Sequence, residues 1–174
     1  MNFTDTQQAP RILARVLLGT ALFSLLFVGL TMALFQLDQP DPDQSPWIAL
    51  LFLGLVHGVL LVVFTSSRLH VEFSDDGLRI RFAPFHRTGR FVPWSEVRRI
   101  TLRTVRPFGE FGGWGIRWNF GNRMGYVWNA DTGVQLDLMN GKSIVVTVSD
   151  LKGARQFLHD RVLPVHTDIT VDER

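Results

Sequence analysis

Two long apolar runs in the first third of the chain constrain its fold more than any other feature. Residues 12–37 hold one charged side chain, Arg15, near the edge, and residues 47–66 hold one ionisable group, His57. A helix rises about 1.5 Å per residue, so either run can cross a hydrocarbon core roughly 30 Å thick. Between them lies 38–46, Asp-Gln-Pro-Asp-Pro-Asp-Gln-Ser-Pro, short, polar and proline-rich, which can only reverse the chain. The expectation is a transmembrane helical hairpin over 12–66, with spans 12–37 and 47–66 and an external turn 38–46. A cleaved signal sequence fits less well. Its apolar core would run for roughly 7–15 residues, and no second span would follow at once.

The flanks orient the hairpin. Arg11 and Arg15 border the first span, Arg68, Arg79 and Arg81 follow the second, and the turn carries three aspartates with no lysine or arginine. The positive-inside rule then places both termini in the cytoplasm, in a multi-pass protein of the inner cell membrane. Trp47 stands where an interfacial anchor is expected. Residues 1–11 read as a cytoplasmic tail, 67–164 as a cytoplasmic domain and 165–174 as a C-terminal tail.

Within the hairpin, Gly54 and Gly58 are four apart, as are Gly29 and Ala33, a spacing that lets helices approach closely in lipid. His57 lies between the two glycines of the second span. A proton relay would need further acids or histidines in the spans, and there are none. The expected role is structural: a neutral imidazole bonded to a hydroxyl of the other helix, with Ser24 at similar depth and Thr20 one turn away.

Beyond Arg68 the apolar period changes to two. Ser74-Asp75-Asp76-Gly77 is a turn, followed by Leu78, Ile80 and Phe82 alternating with Arg79 and Arg81. Ile100, Leu102 and Thr104 alternate with Arg99, Thr101 and Arg103, and Val134, Leu136 and Leu138 alternate with Gln135 and Asp137. Asn140-Gly141 is a hairpin signal leading to the β-branched run 144–148. About seven antiparallel strands are expected, at the spacing of a sandwich or barrel. A closing helix follows, with Ser149 as N-cap, Asp150 at the positive end of the dipole, an apolar stripe of Leu151, Ala154, Phe157 or Leu158, and Val162, and Pro164 as its stop.

The order of elements, with Phe91-x-x-Trp94-Ser95-Glu96-Val97-x-x-Ile100, Gly112-Gly113-Trp114-Gly115-Ile116-Arg117, Val134-x-Leu136-x-Leu138-x-x-Gly141-Lys142 and Asp150-Leu151, resembles the bacterial pleckstrin-homology-like membrane proteins. The resemblance runs over roughly 70–161. It implies a membrane hairpin followed by an α+β, PH-like split β-barrel with a C-terminal capping helix, used for binding and not for chemistry. Arg68 followed after ten residues by Arg79 and Arg81 is also similar to the basic spacing of inositide-binding pleckstrin-homology domains. Asp75 and Asp76 depart from that pattern and would repel a phosphate, so inositide-type recognition is not expected.

No residue set reads as catalytic. There are no cysteines, the five histidines lack metal-ligand spacing, and the glycine-rich stretch 109–115 lacks the Gly-Lys-Ser/Thr ending of a phosphate loop. No enzyme activity, cofactor or metal is expected, and modest net charge argues against a nucleic-acid partner. Two surfaces stand out. Phe108, Phe111 and Trp114 lie among glycines, where the first two can anchor a protein partner or a second copy, or can close an open end of the β unit. If the second and third strands pair, Arg79, Arg81, Arg99 and Arg103 share one solvent face, suited to anionic lipid headgroups or simply to water.

Overall fold

The computed structural model describes residues 2–38, 46–86, 88–119 and 121–173. They fall into two compact units: one comprises the described residues up to Gln8 together with Ser67 onward, the other Ala9–Ser66.

The second unit is the helix pair. Helix α1 spans Arg11–Asp38 and α2 spans Pro46–Ser66, and the two pack against each other. Both are long and apolar enough to cross a membrane. Away from their mutual contact, large apolar side chains are exposed along both helices, among them Phe23, Leu26, Leu51 and Phe52. Exposed apolar surface of this extent suits an apolar surrounding such as a bilayer. The external turn of the hairpin falls largely outside the described residues.

Among its described residues the other unit contains ten strands in two sheets, and these do not form a closed barrel. Strands β1 (Phe3–Gln8), β2 (Arg68–Phe73), β3 (Gly77–Ala83) and β4 (Arg90–Pro93) make an antiparallel sheet in sequence order. A 3-10 turn, Trp94–Glu96, leads into the second sheet. That sheet contains β5 (Val97–Thr104), β6 (Gly115–Asn119), β7 (Arg123–Val127), β8 (Thr132–Leu138), β9 (Ser143–Thr147) and β10 (Thr170–Glu173), in the order β10-β5-β8-β9-β7-β6. It is mixed: β10 runs parallel to β5, and β7 parallel to β9. The expectation of about seven antiparallel strands is corrected on both counts. The alternating pattern does not reveal direction, and two of the added strands come from the supposed tails.

Alternation decides which faces are covered. Leu69, Val71 and Phe73 of β2 and Leu78, Ile80 and Phe82 of β3 are buried, as are Ile100, Leu102, Val134, Leu136, Ile144 and Val146 of the larger sheet. Phe82 meets Trp128 edge-on at 4.9 Å, joining the two layers. Burying these side chains supplies the main stabilisation, at about 25 cal/mol per Å² of apolar surface. Helix α4 (Leu151–Phe157) continues as a π turn, Leu158–Val162, and Ala154, Leu158 and Val162 form its buried stripe. Its N-cap is Asp150, whose carboxylate accepts from the Gly153 amide at 2.9 Å. The expected cap, Ser149, instead donates its amide to Asp5 Oδ2 at 3.0 Å.

Residues 3–8 pair with β2 along their whole length, Phe3 with Phe73 through Gln8 with Arg68. Strand β1 turns Asp5 and Gln7 inward, which is unfavourable unless both are hydrogen-bonded. Gln7 Nε2 donates to Asp5 Oδ2 at 2.9 Å and to the Thr147 carbonyl at 2.6 Å, and Thr147 Oγ1 donates to Gln7 Oε1 at 3.1 Å. The residues before α1 are thus built into a sheet whose other strands follow α2.

Candidate functional site

Helix α3, Pro107–Phe111, is a single turn at the start of the glycine-rich stretch. Pro107 begins it and Gly112, at φ +69°, ends it in the left-handed conformation, a pairing that starts and stops helices. The turn is fixed from below. Phe111 is 8% exposed and packs with Val105, Val127 and Val145. A side chain at Gly125 would collide with its ring, so that glycine makes room for it. Of the two roles left open for Phe111, an exposed anchor or a cover for the β unit, its burial excludes the first: it is a core residue.

The helix is also fixed from the side. Arg103 Nη2 donates to Glu110 Oε2 at 2.7 Å and Arg103 Nε to Gln135 Oε1 at 3.0 Å, while the Arg106 amide donates to Glu110 Oε1 at 2.9 Å. Burial raises the Glu110 pKa, but the bonds from Arg103 and Arg106 and the charges of Arg103 and Arg123 outweigh it and lower the value overall.

What this scaffold presents is Phe108. It is 63% exposed and meets Trp114 edge-on, ring centroids 4.8 Å apart at 79°. Arg117 Nε donates to the Trp114 carbonyl at 2.9 Å, and its guanidinium lies beside Gly113, as does the Phe108 ring. Arg106 is exposed one residue before the helix. The result is an aromatic pair rimmed by cations, next to the edge strand β6.

The four arginines expected on one face are divided. Arg79 and Arg81 belong to β3 of the smaller sheet, Arg99 and Arg103 to β5 of the larger one, because the 3-10 turn ends one sheet and starts the other. Arg103 is taken up by Glu110, and Arg99 Nε lies 3.6 Å from Asp172. On the smaller sheet Arg79 and Arg81 are joined by Arg68 and His70, around a shallow cavity lined by Thr4, His70, Glu72, Arg79 and Arg81. None of these three arginines is ion-paired among the described residues; Arg79 lies over the Phe91 ring at 5.2 Å, and Asn2 bonds Glu72 at 2.8 Å. His70 Nδ1 is 3.1 Å from Thr6 Oγ1, and its pKa is lowered by burial and by the charges of Arg81 and Arg68.

In the helix pair, His57 Nδ1 lies 2.9 Å from the Leu53 carbonyl, one turn earlier in its own helix. The expected bond to Ser24 is not made, and Thr20 Oγ1 likewise donates within its helix, to Leu17. Carbonyls three or four residues back in the same helix thus compete with the neighbouring helix for these polar groups.

Among the described residues, no group of three or more His, Asp or Glu side chains is placed to hold a metal ion. No protein-family model matches the chain, and no curated protein matches it significantly.

Proposed function

We propose that the chain is a non-catalytic, membrane-anchored module that binds a protein partner through Phe108 and Trp114. The carrying observation is that Phe108 keeps a large apolar ring in water although the helix bearing it is pinned on both sides. An exposed phenylalanine packed on a half-buried tryptophan, flanked by arginine on a rigid support, has the composition of an interface hot spot. The cationic rim of Arg106 and Arg117 favours a partner whose apolar pocket is bordered by carboxylates. The resemblance to bacterial pleckstrin-homology-like membrane proteins forms part of this reading, supported by the succession of apolar helices, two sheets and a closing helix. The cytoplasmic orientation rests on the arginine flanks. A photo-crosslinking amino acid in place of Phe108, in intact membranes, should yield one discrete protein adduct, absent when the same group replaces the exposed Met139. Adducts of equal yield at both positions would contradict the reading.

A second reading has its own observation. The unpaired Arg68, Arg79 and Arg81 beside His70 form a surface suited to an anionic lipid headgroup. A bound anion would favour charged His70, so anionic lipid should raise the His70 pKa in the full chain, and Arg79→Gln with Arg81→Gln should abolish the rise. An unchanged His70 titration would rule this out.

A further inference from the structure

Strand β10 occupies the edge of β5 as a four-residue parallel addition, Thr170–Glu173 opposite Arg99–Leu102. This covers half of the eight-residue β5. The register sets Val171 and Glu173 on the side of Ile100 and Leu102, and Asp172 on the other. Asp172 lies 3.6 Å from Arg99 Nε, and Glu173 lies 2.7 Å from Arg155 Nη2 of α4. This seat selects an extended backbone with adjacent carboxylates, one directed to each face.

Two observations mark β10 as a replaceable occupant. Its ion pairs lie in water, with side chains 43–54% exposed, where such pairs hold little. It also leaves the seat unfilled: a cavity of about 360 Å³ remains, lined by Leu102, Leu151, Lys152, Arg155 and Glu173. Lys152 has no carboxylate partner among the described residues.

We propose that the β5 edge beside α4 is a binding site for an extended acidic segment of a partner protein, occupied in cis by β10 until that segment displaces it. Arg99, Lys152 and Arg155 supply the charge complementarity, and the cavity takes an apolar side chain that β10 lacks. The site shares no residue with the Phe108 surface and stands independently of it. The cis strand competes at the high effective concentration of a tethered ligand, so it weakens the apparent affinity of a segment in trans.

The test uses the full chain in neutral detergent and a fluorescent peptide of residues 166–173, His-Thr-Asp-Ile-Thr-Val-Asp-Glu, followed by anisotropy. Asp172→Lys with Glu173→Lys in the chain, and separately Thr170→Pro, weaken the cis strand by different means. Each should tighten peptide binding about tenfold if the strand is docked about nine-tenths of the time. A peptide with the acids corresponding to Asp172 and Glu173 replaced by lysine, which would face Arg99 and Arg155 with like charge, should bind at least about tenfold more weakly. Equal affinity for wild type and both variants, no binding to any chain, or binding indifferent to peptide charge would overturn the proposal.

Discussion

Gln7 and Thr147 bond reciprocally across the two sheets, the Gln7 amide donating to the Thr147 carbonyl at 2.6 Å and the Thr147 hydroxyl donating back at 3.1 Å. The pair fastens a residue that precedes the helix pair to one 140 positions later in the chain. Gln7→Ala would strand buried polar groups at Asp5 and Thr147, and should destabilise the sheet unit by about 1–3 kcal/mol. Gln8→Ala, on the exposed side of the same strand, should change stability by less than about 0.5 kcal/mol. Thermal unfolding of the full chain in detergent reads both, and equal effects would remove the clamp.

The same pairing bears on topology. A strand before α1 and a strand after α2 that share one sheet require an even number of membrane crossings. The chain has no cysteine, so single substitutions are clean labelling sites. Asn2→Cys and Met139→Cys should be labelled from one side of the membrane and Asp41→Cys from the other. Labelling of Asn2→Cys and Met139→Cys from opposite sides would contradict the hairpin.

Glu110 makes the aromatic helix sensitive to acid. Its folded pKa is lowered, so its contribution to stability is present above the unfolded value, near 4.5, and is lost as pH falls through the folded value. Wild type should therefore lose stability on acidification below that range, and Glu110→Gln should show a smaller loss. Identical pH profiles would remove Arg103–Glu110 as the lateral support of α3.

How much was legible in the sequence follows from what each residue does. The apolar helices read directly, because a run without charges needs no partner to be recognised. Strands β2, β3, β5 and β8 read from alternation. Strand β1 did not, because its inward residues after Phe3 are Asp5 and Gln7, and hydrogen bonds instead of apolar period hold it. Helix α3 was hidden among glycines, although Pro107 at its start and Gly112 at its end were the available signal. The arginine face was misjudged because alternation assigns a side to each residue but not a sheet to each strand. Nothing local announces that the chain changes sheets at Trp94–Glu96.

Phe111 and Phe108, three residues apart on one turn, should respond in opposite ways to substitution. Phe111→Ser opens a cavity beneath α3 and should cost about 3 kcal/mol or more of stability. Phe108→Ser removes a ring already in water and should leave stability within about 0.5 kcal/mol. Equal destabilisation would make the pair a structural lid.

If Phe108 and Trp114 bind a protein partner at the membrane, their removal should release it from a protein that stays folded. The most direct measurement is the recovery of a cross-linked partner from intact membranes with Phe108→Ser and Trp114→Ser together, alongside the melting temperature of the same full-length protein. The expected result is a folded protein, melting close to wild type, that no longer retains its partner. Recovery that is unchanged, or that falls only in proportion to the folded fraction, would contradict it.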